Sequence, residues 1–213
     1  MLKKYSVLTG LIISLSFLTI AISIYPGGTY QNKHSIGYDW SQNYTCNLFE
    51  TNALNGTRNT SIIWAYIGMF LYSISCAIFF VNMSNKIPEK TSANIIKYGG
   101  ILAMILTFLI VTPYHDLMLT ISSILFWTCI TWITAFLFKT QHYFLKLYSV
   151  ICMCIFYYAV YIHLSSNWNL LPIISKVNSF TTILLILGLE YFTKKEDFAH
   201  DISKKQRDDA TNH

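Results

Sequence analysis

Six stretches of almost uninterrupted apolar residues run through this chain, at 7–25, 62–81, 95–111, 117–138, 144–162 and 170–192. Each is roughly 17–23 residues long, enough to cross about 30 Å of hydrocarbon as a helix. A backbone in lipid has to satisfy its own polar groups, and runs of this length do so as α-helices. The expected fold class is therefore all-α. It is a polytopic membrane protein, a six-transmembrane-helix bundle, with residues 1–213 forming a single integral membrane domain. Composition agrees. Hydrophobic residues make up 54% and charged residues only 12%, against about 25% charged in soluble domains. The mean hydropathy is +0.43.

The net charge of +5 does not form a nucleic-acid-binding patch, because the basic residues sit at the ends of the apolar runs. Lys3, Lys4, Lys86, Lys90, Lys97, Lys139, Lys146, Lys194, Lys195, Lys204, Lys205 and Arg207 fall on one side if the chain crosses six times. Lys33, Arg58 and Lys176 fall on the other. By the positive-inside rule both termini are then cytoplasmic, with residues 193–213 as a cytoplasmic tail. The first run has a basic start, and Ala21-Ile22-Ser23 resembles a signal-peptide cleavage site. Its apolar stretch exceeds the ~7–15 residues of an ordinary signal core, so it reads as an uncleaved helix.

Residues 26–60 form the one long loop between spans, and it is expected outside as an ordered cap. Pro26-Gly27-Gly28 ends the first helix and turns the chain, and Asn55-Gly56 marks a tight turn. Thr60 or Ser61 is placed to cap the second helix. Tyr, Trp and amide side chains are too frequent here for a disordered linker. The loop is either a lid over the helix ends or a lid over a site. Asn43, Asn55 and Asn59 each begin a glycosylation sequon, a pattern that arises often by chance in chains rich in Asn and Thr. The five cysteines include only Cys46 in the loop. They carry no CxxC spacing and read as small packing residues.

Asp116, Thr120, Ser123, Trp127, Thr131 and Thr134 recur at three- and four-residue steps, which places them along one face of the fourth helix. In lipid such a polar stripe is expected to face other helices. Small or polar faces that can pack closely also occur in the second helix (Ser61, Ala65, Gly68, Tyr72, Ser75), the third (Gly100, Ala103, Thr107) and the sixth (Ser175, Asn178, Thr182).

The ionisable residues near the outer side form the candidate polar site: Asp39, His115, Asp116, His163 and Lys176. Ionisable groups within spans are rare and tend to be functional. Asp116 also suits a helix N-terminus, and Lys176 can snorkel outward. Asp116 and Lys176 are expected to lie close and balance each other's charge. On the cytoplasmic side, Glu190 is expected to pair with Lys194 four residues on. Two histidines with Asp116 or Asp39 could supply zinc ligands, but no HExxH or HxxxH spacing supports a metal site. Phosphate loops, dinucleotide fingerprints and a GxSxG motif are absent, so no cofactor is expected. No internal repeat points to an inverted-repeat transporter.

Tyr25-Pro26-Gly27-Gly28, Gly37-Tyr38-Asp39-Trp40, Asn43, Asn55-Gly56 with Asn59, and Thr112-Pro113-Tyr114-His115-Asp116 together resemble a bacterial family of uncharacterised six-span membrane proteins. That family in turn resembles, more distantly, the damage-regulated autophagy modulator family. The resemblance implies architecture and a bacterial inner-membrane location, and carries no chemistry. The leading functional expectation is a non-enzymatic envelope protein. It would bind or handle a lipid or small amphiphile at an outer-facing polar pocket, with membrane lipids as its surroundings and no nucleic-acid partner. The alternatives are a membrane-embedded enzyme acting on a lipid headgroup, with His115, Asp116 and His163 as acid/base residues and Lys176 stabilising negative charge, and a small permease using the stripe.

Overall fold

A computed structural model describes residues 5–165 and 169–198 of the chain. Among them are six long helices: α1 (Ser6–Ser23), α2 (Ile62–Lys86), α3 (Lys90–Phe108), α4 (His115–Leu137), α5 (Tyr143–Leu164) and α6 (Leu171–Phe192). All six are long and apolar enough to cross a membrane, so the protein is a multi-pass integral membrane protein. No strand occurs among the described residues.

The helices outrun the apolar stretches where the flanking residues suit an interface. α2 continues past residue 81 through Asn82, Ser84 and Lys86, and α3 begins at Lys90, a turn before its apolar run. Helical hydrogen bonding does not stop where hydrocarbon stops, so the polar ends stay helical and meet one another. α3 tightens into a 3-10 turn at Leu109–Val111 before the short connection to α4.

α2 is the centre of the bundle. It packs against α1, α3 and α6, α4 lies along α3, and α5 lies along α6. Close approach depends on small residues. Ser14 Oγ of α1 donates to the Gly68 carbonyl of α2 at 2.8 Å, and Gly100 of α3 lies against the Phe80 ring, where a β-carbon would collide. The main core joins Phe79, Phe80 and Met83 of α2 to Phe126, Ile130 and Ile133 of α4 and Leu185, Ile186 and Leu189 of α6. Trp127 of α4 stacks on Phe156 of α5 with centroids 4.5 Å apart, which links two helices that otherwise touch little.

The polar stripe on α4 does not behave as one inward face. Trp127 and Thr134 are buried, Ser123 is half-buried, and Thr120 and Thr131 are exposed. The buried face of α4 follows Ser122, Phe126, Cys129, Ile133 and Leu137 instead. The stripe is rotated to the edge of that face, so some of its members fall outside it. The two outward threonines are satisfied within the helix: Thr120 Oγ1 donates to the Asp116 carbonyl at 2.8 Å and Thr131 Oγ1 to the Trp127 carbonyl at 2.7 Å. A hydroxyl that bonds one turn back no longer requires a neighbouring helix.

Candidate functional site

The loop between α1 and α2 folds into a compact cap over one end of the bundle. Pro26-Gly27-Gly28 turns the chain, with φ +130° at Gly27 and +88° at Gly28, a region that glycine enters without a β-carbon penalty. Gly27 then bridges Ile36, and Asn52 bridges Arg58, giving two short paired segments around a 3-10 helix at Thr45–Phe49. The Gly27 carbonyl accepts from Asn55 N–H at 3.2 Å, which brings the two segments together.

Buried amide side chains stand in for the hydrogen bonds that a regular sheet would supply. Asn43 Nδ2 donates to the Gly28 carbonyl at 2.8 Å, while its Oδ1 accepts from Asp39 N–H at 2.8 Å. Asn59 Nδ2 donates to the Leu48 and Glu50 carbonyls at 3.1 and 2.8 Å. Its Oδ1 accepts from both the N–H and the hydroxyl of Ser61. Asn59, rather than a capping hydroxyl of Ser61 or Thr60, therefore organises the start of α2, and Thr60 Oγ1 reaches the Ile24 carbonyl. Asn43 and Asn59 are 0% and 2% exposed, so these two sequons are structural amides rather than glycan acceptors. Tyr66 of α2 pins the cap down by donating to the Phe49 and Val111 carbonyls.

Lys176 of α6 rises into this cap. Its Nζ donates to the Asn43 carbonyl at 2.5 Å and to the Pro172 carbonyl at 3.1 Å. The ammonium lies 5.5 Å from the centre of the Tyr38 ring, and Asp39 is the carboxylate within electrostatic reach. Asp39 itself is held below the usual carboxylate range by the Ser41 hydroxyl and N–H and by the Gln42 N–H. The expected Asp116–Lys176 pair does not form. Asp116 is on the surface, in the first turn of α4, and its Oδ1 lies 2.9 Å from His115 Nδ1. The cap supplies Lys176 with the Asn43 carbonyl at a spot that spacing along the chain does not reveal. Tyr114, not Asp116, holds the N-cap position of α4.

The outer candidates thus separate into an Asp39–Lys176 group under the cap and a His115–Asp116 pair at the α3–α4 connection. His163 is exposed near the end of α5. Among the described residues no three His, Cys, Asp or Glu side chains come together. Burial, with Glu50 nearby, pushes the Cys46 thiol up to about 11, which makes it a poor nucleophile at neutral pH.

Between the cap and the start of α6 lies a cavity of about 460 Å³, lined by Tyr30, Gln31, Gln42, Tyr44, Asn169 and Pro172. Tyr30 and Tyr44 meet edge-to-face, with centroids 6.2 Å apart and planes at 67°. Burial raises both phenols above their ordinary value, so they stay neutral hydrogen-bonding groups. Gln31 Nε2 donates to Asn169 Oδ1 at 2.9 Å across the mouth, and Gln42 Oε1 accepts from the Thr29 hydroxyl at 2.8 Å. Sequence reasoning missed all six of these residues. The available signal is the Tyr and amide content of the loop, which indicates order and a lid without picking out these positions.

The opposite end carries a second polar group. Asn82 Nδ2 donates to Glu190 Oε1 at 2.7 Å, and Lys86 Nζ donates to the Leu189 and Glu190 carbonyls at 3.1 and 2.7 Å. Lys86 thereby caps the last turn of α6. The expected Glu190–Lys194 pair is replaced by these contacts, because Glu190 turns in toward α2. Lys194 N–H donates to Asp197 Oδ2 instead, and the same oxygen lies 2.9 Å from His142 Nε2.

No family model, curated protein or solved structure matches the chain.

Proposed function

We propose that the protein is an envelope membrane protein that holds a lipid or small amphiphile in the cavity between the cap and α6, with the cap outside and both termini cytoplasmic. The observation that carries this reading is the cavity itself. Its volume of about 460 Å³ falls in the range of ligand pockets, and it combines aromatic walls with a few convergent polar groups. It lies at the cap end of a membrane bundle, between the loop and the first turn of α6. The basic-residue asymmetry supports the orientation. The candidate pair within hydrogen-bond reach, His115–Asp116, is not among the residues that line the cavity, which favours binding over catalysis there.

Native mass spectrometry of the protein extracted in mild detergent tests this reading. A bound amphiphile, retained by the unaltered chain and lost on Tyr44→Ala together with Pro172→Ala, is the expected result. A bare protein mass, with no lipid recovered on solvent extraction, overturns it.

A further inference from the structure

We infer that the ligand's polar end is a neutral, polyhydroxylated ring: a glycosyl headgroup, or the free sugar of the same chemistry. This rests on the amphiphile-binding reading and specifies its headgroup.

The first ground is charge. None of the six lining residues is ionisable near neutral pH apart from two phenols, and both of these are neutral. Three charged side chains near the cavity have contacts of their own. Lys176 donates to the Asn43 and Pro172 carbonyls beneath the Tyr38 ring. Asp39 accepts from Ser41 and Gln42. Lys33 lies 5.6 Å from the centre of the Tyr30 ring. A phosphate or carboxylate entering the cavity loses hydration and, among the described residues, meets no guanidinium or ammonium in the lining, which is unfavourable.

The second ground is the balance of donors and acceptors. Gln31 and Asn169 share one hydrogen bond, and Gln42 spends its carbonyl oxygen on Thr29. Among the described residues, Gln42 Nε2, Gln31 Oε1 and Asn169 Nδ2 have no further partner, which leaves donors and an acceptor around one opening. A hydroxyl both donates and accepts, so a ring of hydroxyls matches a mixed amide rim. A quaternary ammonium, which does neither, does not.

The third ground is shape. Tyr30 and Tyr44, in edge-to-face contact with planes at 67°, both line the cavity and give it aromatic surface in two orientations. A pyranose has a flat C–H face that packs on an aromatic wall while its equatorial hydroxyls point to the rim. Pro172 lines the α6 side with a rigid apolar surface and no N–H of its own.

The test uses the full chain, extracted in a polyoxyethylene detergent that carries no sugar. It is reconstituted into phosphatidylcholine nanodiscs containing diglucosyl diacylglycerol, phosphatidylglycerol or plain diacylglycerol, and free maltose is added in a separate series. Thermal midpoint against ligand concentration is the readout, because a ligand bound only by the folded state raises it. The expected result is a saturable rise with diglucosyl diacylglycerol that phosphatidylglycerol and diacylglycerol do not reproduce. Gln42→Leu weakens the binding roughly tenfold, as the loss of one buried hydrogen bond implies. If Gln42→Leu does not fold, Asn169→Leu at the exposed rim makes the same measurement. A rise with maltose as well assigns recognition to the ring alone, and a rise with the glycolipid alone assigns it to a headgroup on its lipid. A saturable rise with phosphatidylglycerol equal to or greater than that with the glycolipid overturns the neutral-headgroup inference and leaves amphiphile binding standing. So does unchanged glycolipid affinity in both rim variants. No rise with any lipid or with maltose overturns both.

Discussion

At the scale of single residues, Lys176 shows how a half-buried charge can take its hydrogen bonds from backbone, with a carboxylate only within electrostatic reach. Its ammonium bonds two carbonyls, one on its own helix and one in the cap. Lys176→Met leaves the Asn43 carbonyl with only the Tyr38 hydroxyl as donor, at 3.2 Å, strips the Pro172 carbonyl of its lysine contact, and should lower the melting temperature in detergent. Asp116→Asn should have little effect, since that side chain is on the surface and touches only its neighbour. The two losses should add, because distant sites without shared partners are independent. Recovery in the double mutant would restore the Asp116–Lys176 pairing that the sequence favours. On α4, Thr131→Leu should stay within about 0.5 kcal/mol of the parent, as exposed positions do. Thr134→Leu, at a buried position, should be clearly destabilising through overpacking. Thermal melts of the two variants side by side decide the orientation of the stripe.

At the scale of elements, the cap holds its shape through asparagine side chains. Asn59 reaches two carbonyls with its nitrogen and both the N–H and hydroxyl of Ser61 with its oxygen. Asn59→Ala should cost roughly 2–4 kcal/mol, since several buried groups lose partners at once. Hydrogen exchange should then quicken across residues 45–59 while the bundle helices keep their protection. Uniform loss of protection in cap and helices would mean that the cap is not a separate unit. On the opposite side, residues 194–198 dock onto the α4–α5 connection through Asp197. Burial works against the Asp197 carboxylate, but His142 and the Lys194 N–H more than offset it and hold the carboxyl below its ordinary value. A depressed carboxyl contributes stability above its unfolded pKa, near 3.9, and that stability is lost as pH falls through the lower folded value. The docked segment should therefore keep its protection at neutral pH and lose it below about pH 4, while Asp197→Asn should lose it already at pH 7. Equal protection in the variant and the parent at pH 7 would contradict this role.

At the scale of the whole molecule, α2 is the axis on which the rest is assembled, and the two ends of the bundle differ in chemistry. The cap end is rich in tyrosine and amides. The other end joins Asn82, Lys86 and Glu190 across α2 and α6. Leu8 N–H donating to the Tyr191 hydroxyl at 3.0 Å joins the start of α1 to the end of α6. A cysteine introduced at Lys33 or Arg58, in a chain whose Cys46 is replaced by serine, should label from outside intact cells. A reporter fused after Asp209 should score cytoplasmic. Labelling at residue 33 only after permeabilisation would reverse the proposed orientation.

The sequence by itself determined the number of helices, their approximate limits and the existence of an ordered loop. Those properties depend on contiguous residues: apolar length against membrane thickness, and glycine, proline and asparagine at turns. It also marked Gly68, Gly100 and Ala103 as close-packing positions, because a missing side chain has the same consequence wherever a helix meets a neighbour. Which face of each helix turns inward was decided only by tertiary packing. The α4 stripe has a helical period, yet period alone does not orient a helix when its threonines bond their own backbone. The partners of Lys176 and Glu190 were likewise settled by elements far away in sequence, a loop carbonyl for one and Asn82 for the other. The cavity residues come from positions 30–44 and 169–172, and nothing local joins them. They meet because the cap folds back over the start of α6, held by amide hydrogen bonds whose two ends are visible only in three dimensions.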